Sequence, residues 1–375
     1  MKSSSYDVLV VGGGVIGLSL AWELAQHGAK VCVVDRGEMG REASWAGAGM
    51  VPPGPTPENW AEATPLECMA GLSGKLHTTW SQFLLDTTGI DNEYRQCGTI
   101  RLAQSSANVN ALEHQISRWK KLGIECHDLD PPQLADIEAH VIPQAGGFPM
   151  ACFLPAEAQI RNPRHLQALL AACRQAGVEL RPNKEVREFR TAGNRISCAT
   201  TDDEQLMAEE FCLTAGCWTG ELAKQLGLEL PVKPIRGQIV LLSGAQKLLS
   251  RNIYVGLRYL APRRDGRILV GSTMEDVGFI KENTREATIE LRRFATDLVP
   301  ALAKLEVESC WSGLRPGMPD GKPILGQAKH LENTWVATGH FRSGLQLSPA
   351  TAVVMRSLIL GQPPPIDVSS LGLDR

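Results

Sequence analysis

The sequence predicts an α/β fold: a Rossmann-like unit built on a GxGxxG turn, joined to a second, β-rich α+β unit. Three observations predict it. The stretch YDVLVVGGGVIGLSLAWELAQHGAKVCVVDR reads as strand, glycine turn, helix, strand and acid. From about residue 230 the texture turns to β, in GQIVLLSG, IYVGLRYLAP and RILVGSTM. Near the end, TWVATGHFRSGLQLSPATAVVMRSLIL gives a strand, a glycine turn and a helix.

Composition sets the outer limits. The chain has 375 residues, 43% of them hydrophobic, enough for a sizeable core and two units. A net charge of -3 gives no reason to expect nucleic acid or an anionic membrane as a partner. Ten cysteines without a CxxC pair read as reduced, mostly buried thiols of a cytoplasmic protein. The apolar run DVLVVGGGVIGLSLAW is too short and too broken by glycine to span a bilayer. It also lacks the basic cluster and cleavage site of a signal peptide.

The N-terminal unit carries the strongest motif. Tyr6 to Val11 reads as a strand buried on both faces. Gly12, Gly14 and Gly17 form GxGxxG, with Val15 and Ile16 opening the helix, which Gly28 ends. Gly12 permits the tight turn, Gly14 lets a pyrophosphate approach the backbone, and Gly17 lets helix and strand pack closely. The helix N-terminus offers free N–H groups to the phosphates. Asp35 follows the second strand, 18 residues after Gly17. Its carboxylate suits two ribose hydroxyls and repels a 2′-phosphate. With strand, helix and acid in register, the motif is specific for a dinucleotide.

The next segment, RGEMGREASWAGAGMVPPG, is rich in glycine and alanine and lets an extended ligand run along the backbone. At these residues the chain resembles the D-amino-acid oxidase family of FAD enzymes, and its glycine oxidase branch in particular. The resemblance covers nearly the whole chain and implies FAD as cofactor. It matches Arg36, Ser44, Ala48, Gly49 and Met50 to the loop along the flavin's diphosphate, ribityl chain and ring. Val186 and the turn Ala215, Gly216, Trp218 after the strand EEFCLTAGCW join the implied cofactor contacts. The implied layout is interleaved: a cofactor unit of residues 1–80, 150–225 and 310–375, and a substrate unit of 81–149 and 226–309. A homo-oligomer is a further family expectation.

Between these motifs the elements follow in order. GPTPENW, residues 54–60, reads as a loop or short lid, and MAGLSGKLHTTWSQFLLDTTG as a helix. GTIRLAQS alternates as a strand, residues 108–122 form a helix ending at Gly123, and DPPQLADIEAHV a short capped helix. Asn162 as cap and Pro163 at the first helical position start PRHLQALLAACRQAG. RRDGR carries an Asp-Gly hairpin signal, and EATIELRRFATDLVPAL is helical again.

A two-residue turn at Asp265-Gly266 pairs Tyr259 with Ser272 and Leu257 with Met274; a three-residue loop shifts the pairing. The resemblance matches Tyr259 to a tyrosine that bonds the substrate carboxylate, and Met274 to the lining of a small glycine pocket. It matches Arg315, in GLRPGMPDGKPILG, to the arginine that binds that carboxylate. A guanidinium fits the role, because it presents two parallel donors and stays charged when desolvated. Arg342 in TGHFRSG matches a second arginine near flavin and substrate. His340, Ser343, Gly344 and Leu345 join the cofactor contacts, at a helix N-terminus aimed at the flavin pyrimidine. A lone histidine such as His340 is more often a packing element than a base, and Lys322 reads as a solvated turn residue. The resemblance also implies a test of Cys310, because the related sarcosine oxidases link their flavin through a cysteine from roughly this region, but Cys310 reads better as a buried thiol.

No Ser-His-Asp order, metal cluster or carboxylate pair appears in the sequence. Flavin amine oxidation requires none: the site orients Cα–H toward flavin N5 and keeps the amine neutral. The reading is oxidative deamination of glycine to glyoxylate through the imine. Hydride goes to flavin N5, oxygen reoxidises the flavin to give hydrogen peroxide, and the imine serves a thiazole synthase of thiamine synthesis. The alternatives are a related oxidase or dehydrogenase of sarcosine, proline or D-amino acids, or a flavoprotein subunit passing electrons to a partner.

Overall fold

The computed structural model describes residues 5–142 and 147–375. Two eight-stranded sheets organise them. In the first, Ser5–Val11 lies between Val31–Val34 and Gln205–Leu213, with Glu179–Arg181 outside Val31–Val34, all parallel. Thr334–Thr338 continues in parallel beside the end of Gln205–Leu213, edged by antiparallel Ile324–Gln327. Leu9, Val10, Val33 and Val34 are fully buried, as a parallel strand covered on both faces demands. Helices Val15–Gln26, Pro65–Thr88, Asn162–Gln175 and Gly344–Ile359 contribute to the core on one face.

The second sheet runs Val307–Gly317, Lys233–Leu242, Ile268–Gly271, Arg258–Pro262, Asn252–Val255, Thr99–Ala103, Met150–Leu154, His127–Asp128. All its pairs are antiparallel except Asn252–Val255 with Thr99–Ala103. Helix Arg285–Leu298 packs into the core on one face, with Leu291 and Ala295 against Val240 and Val270. Alternation turns Ile239, Tyr254, Tyr259 and Leu269 to the other face.

Several expectations shift. The strands Met150–Leu154 and Val307–Gly317 belong to this second sheet, so boundaries at 150 and 310 cut hydrogen-bonded ladders. The helix expected from Met69 begins at Pro65, where Thr64 and Glu67 form a capping box. Asn162 does not cap its helix: its Nδ2 donates to Ser44 O at 2.8 Å, and Arg161 takes the cap position. The GLRPG run is the end of an 11-residue strand, not a separate turn. That strand lies at the sheet edge, where Pro316 stands opposite Pro234 and neither needs an N–H. Residues 54–60 run into a short 3-10 turn, Pro57–Glu62, and do not reach the cavity described below.

Candidate active site

A cavity of about 670 Å³ extends from the glycine turn to the second sheet. Its first end is built by the βαβ unit. Gly12, at φ +116°, packs so tightly that a Cβ would stand 2.6 Å from the Thr214 carbonyl carbon. Gly17 lies outside the lining, where its Cβ would meet Gly12 O at 2.0 Å; its part is helix–strand packing. Gly14, Val15 and Ile16 line the cavity at the start of helix Val15–Gln26, which has no side-chain cap at Gly14. Ser44 Oγ accepts from Val15 N at 2.9 Å. Asp35 accepts from Gly13 N at 2.7 Å and Gly37 N at 2.9 Å. Burial raises its pKa, and those backbone donors oppose the shift.

Around this end stand Arg36, Ala48, Gly49, Met50, Val186, Ala215, Gly216 and Trp218, all lining the cavity. The Arg36 guanidinium lies 3.8 Å from the Trp218 ring centroid, a cation–π stack. Gly49 sits at φ +77°, and a Cβ there would strike Ile160 O at 1.9 Å. Arg263 braces this loop by donating to Ala48 O at 2.7 Å, and burial pushes its pKa down to about 10. Asn162 belongs to the same wall, and its Oδ1 is buried without a partner.

The other end holds the predicted cations. Arg315 donates from Nη2 to Ser272 Oγ at 2.7 Å and from Nη1 to Thr273 O at 3.2 Å. It has no ion-pair partner among the described residues, and desolvation lowers its pKa. Arg342 is close enough to lower that pKa further, and its Nη2 donates to Leu257 O at 3.0 Å. Tyr259 is 4% exposed, its ring 5.7 Å from that of Tyr254. Ser343, Gly344 and Leu345 line the cavity at the N-terminus of the last helix. His340 also lines it, but bonds Thr351 Oγ1 at 3.1 Å, and burial lowers its pKa to about 3. It is therefore neutral at neutral pH and poorly suited to act as a base.

Met274 is the exception. The hairpin turns on three residues, with Gly266 at φ +87° and Arg263 N donating to Arg267 O at 2.7 Å. Tyr259 then faces Gly271 instead of Ser272. Met274, three residues past the strand's end at Gly271, is 53% exposed and outside the cavity lining. Ser272 still reaches the site, beyond the strand's last residue. Cys310 is also outside the lining: its sulfur accepts from Thr288 Oγ1 at 3.6 Å, which suits a structural thiol. Asp320 is paired with Arg375, and Lys322 is exposed.

Other contributors escaped the sequence reading. Gly237 and Gly271 lie under the Arg315 and Tyr259 side chains, and isolated glycines inside strand patterns are a signal of such approach. Tyr254 and Arg101 also line the cavity, with the Arg101 guanidinium 4.0 Å from the Tyr254 ring and 3.1 Å from Glu157 Oε2.

These features fit a dinucleotide cofactor: glycines where a Cβ would clash, a helix N-terminus with no side-chain cap from Gly14, and an orphaned acceptor, Asn162 Oδ1, behind the wall. Comparison with known proteins agrees. The family model of FAD dependent oxidoreductases matches residues 7–358. The chain is 39% identical to glycine oxidase of Pseudomonas aeruginosa, over 97% of each chain. It is 33% identical to the bifunctional protein ThiO/ThiG of a Nostoc species, over 95% of this chain and 53% of that one. The crystal structure of glycine oxidase from Geobacillus kaustophilus matches with a TM-score of 0.92 at 29% identity, covering 100% of this chain and 99% of that one. Among the described residues no helix is long and apolar enough to cross a membrane. The match runs from the first strand into the last helix, through the residues that build the cavity, and the chain belongs to the family of FAD dependent oxidoreductases, with FAD as its cofactor.

Proposed function

We propose that the protein oxidises glycine through its imine to glyoxylate and ammonia, taking up oxygen and water and releasing hydrogen peroxide. One observation carries this reading. Arg315 is a largely buried cation on the cavity wall with no anion paired to it among the described residues. Two of its five donors are spent on Ser272 and Thr273, leaving three for a carboxylate. Tyr259 is the second donor on that carboxylate.

Arg342 adds a second positive charge beside the substrate. Two cations disfavour the ammonium form, so the bound amine is held neutral, with the lone pair that oxidation requires. Tyr254 and Tyr259 exclude water from that end. FAD, when bound, supplies the two-electron acceptor. The turn from Gly12 to Ile16, Asp35 and the loop Ser44 to Met50 hold it. Arg36 and Trp218 offer a stacking face. On this reading the first sheet anchors a cofactor-binding unit and the second a substrate-binding unit, interleaved along the chain.

The match to one half of a bifunctional ThiO/ThiG protein supports transfer of the imine to a thiazole synthase. The test is peroxide release from the FAD-loaded protein with glycine, sarcosine, D-alanine and D-proline. Glycine should give the highest kcat/KM. A clear preference for another amine, or no peroxide with any, overturns the reading.

A further inference from the structure

Helix Gly344–Ile359 begins at the cavity with a defect. Pro349 has no N–H, so Leu345 O, four residues earlier, lacks its helical donor and accepts from Ser348 Oγ at 3.0 Å in its place. Helix Pro65–Thr88 repairs that turn from one face. Ser73 Oγ accepts from Ala350 N at 3.1 Å. One helical turn further on, His77 Nε2 stands 3.0 Å from Leu345 O and 3.0 Å from Gln346 O. Carbonyls only accept, so Nε2 carries the proton and Nδ1 the lone pair. That Nδ1 is buried without a partner.

His165 lies beside it, with ring centroids 6.0 Å apart. Its Nδ1 is 3.2 Å from Asn92 Nδ2. Asn92 Oδ1 accepts from Tyr94 N at 3.1 Å, and Nδ2 also donates to Ser81 Oγ at 2.9 Å, so Nδ2 is the donor to His165. His165 therefore carries its own proton on Nε2, likewise buried without a partner. One ring ends in an unused lone pair and its neighbour in an unused N–H. Burial lowers the pKa of His77 to about 4 and of His165 to about 3, so both rings are neutral, as that complementarity requires.

We propose that His77 is a positioning residue for the cofactor end of the last helix. Its Nε2–H fixes the proline-broken first turn, and the two carbonyls that face Nε2 select the tautomer that does so. That turn lines the cavity from Ser343 to Gln346 and has no side-chain cap, so its positive end acts on the bound cofactor. A turn free to shift weakens that field. The inference rests on FAD in this cavity, not on glycine as the substrate.

The test is sulfite titration of the FAD-loaded protein, because sulfite adds to oxidised flavin more tightly when positive charge stands nearby. His77→Leu should bind sulfite about tenfold more weakly and lower kcat about tenfold, with KM within about twofold. His77→Gln, which keeps an N–H donor, should restore most of the affinity. Adding Pro349→Ala to His77→Leu returns a backbone donor to Leu345 O and should also restore it. A folded His77→Leu protein with unchanged sulfite affinity overturns the proposal. If His77→Leu does not fold, the double variant decides: normal sulfite affinity supports the proposal, and misfolding or weak affinity overturns it. Wild-type protein that binds sulfite but leaves glycine unoxidised counts against the substrate alone.

Discussion

The guanidinium of Arg315 lies flat across Gly237 on the neighbouring strand. A methyl at that Cα would stand 2.0 Å from Nη2 and 2.1 Å from Cζ. In the ladder Gly237 faces Gly313 and Ile235 faces Arg315, so the contact is diagonal and reachable only by a long side chain. Gly237→Ala should therefore displace the clamp without touching the cofactor. We expect kcat/KM for glycine to fall roughly a hundredfold with FAD retained. Gly74→Ala is the control: a methyl there would have nothing within 4 Å. That variant should keep activity, and equal activity in Gly237→Ala would remove the glycine bed from the mechanism.

Arg315→Lys tests the clamp itself. Lysine keeps the charge but loses the planar fork, and it cannot reproduce both bonds, to Ser272 and Thr273, while holding a carboxylate. Losing a bidentate pair should cost on the order of 2–4 kcal/mol, seen as a raised apparent KM for glycine with normal flavin content. Steady-state kinetics with a flavin spectrum check this, and an unchanged KM would falsify the clamp.

Asp35→Ala should act at the other end of the cavity. The carboxylate accepts from Gly13 and Gly37 N–H and so shapes the glycine turn as well as meeting a ribose. Removing it strands two backbone donors and should weaken FAD binding at least about tenfold, with little change in glycine KM once FAD is saturating. Fluorescence titration of the apoprotein with FAD measures it. Wild-type affinity would mean that the acid serves only the turn.

The sequence made the first end of the cavity legible and only part of the second. From Tyr6 to Asp35 the glycine turn, the helix start and the acid belong to one βαβ unit, so their spacing suffices to find them, although Thr214 and Ser44 pack against that turn from elsewhere. Tyr259 and Arg315 were identifiable by resemblance, but their mounts were not. Whether Gly271 or Ser272 faces Tyr259 depends on one residue of loop length, and Met274 lies past the strand's end, where alternation no longer applies. Asn162 shows a local rule overruled: its side chain reaches Ser44 O, 118 positions away in sequence, instead of capping its own helix. Arg263 reaching Ala48 O, and His77 reaching Leu345 O, are likewise tertiary contacts with no periodic signal.

Buried histidines set a pH limit that one substitution isolates. His340 is 4% exposed, bonded to Thr351, and its pKa is lowered to about 3. In the unfolded chain an imidazole takes up its proton near pH 6.5. Below that pH the unfolded state binds more protons than the folded one, so stability falls as pH drops from about 6.5 toward about 3 and is unaffected by this group above it. The slope is up to about 1.4 kcal/mol per pH unit for one histidine. Asp35 and Glu138, whose pKa values are raised by burial, act in the opposite sense, so the total curve is a poor test. The difference between wild type and His340→Gln is a better one, because the carboxylates cancel. Urea unfolding with excess FAD at pH 7.5, 6.0 and 5.0 should show the two proteins diverging only in the acid range, the variant losing less stability. Parallel curves would mean that His340 takes up its proton in the folded protein over the same pH range as in the unfolded chain, against a pKa lowered by burial.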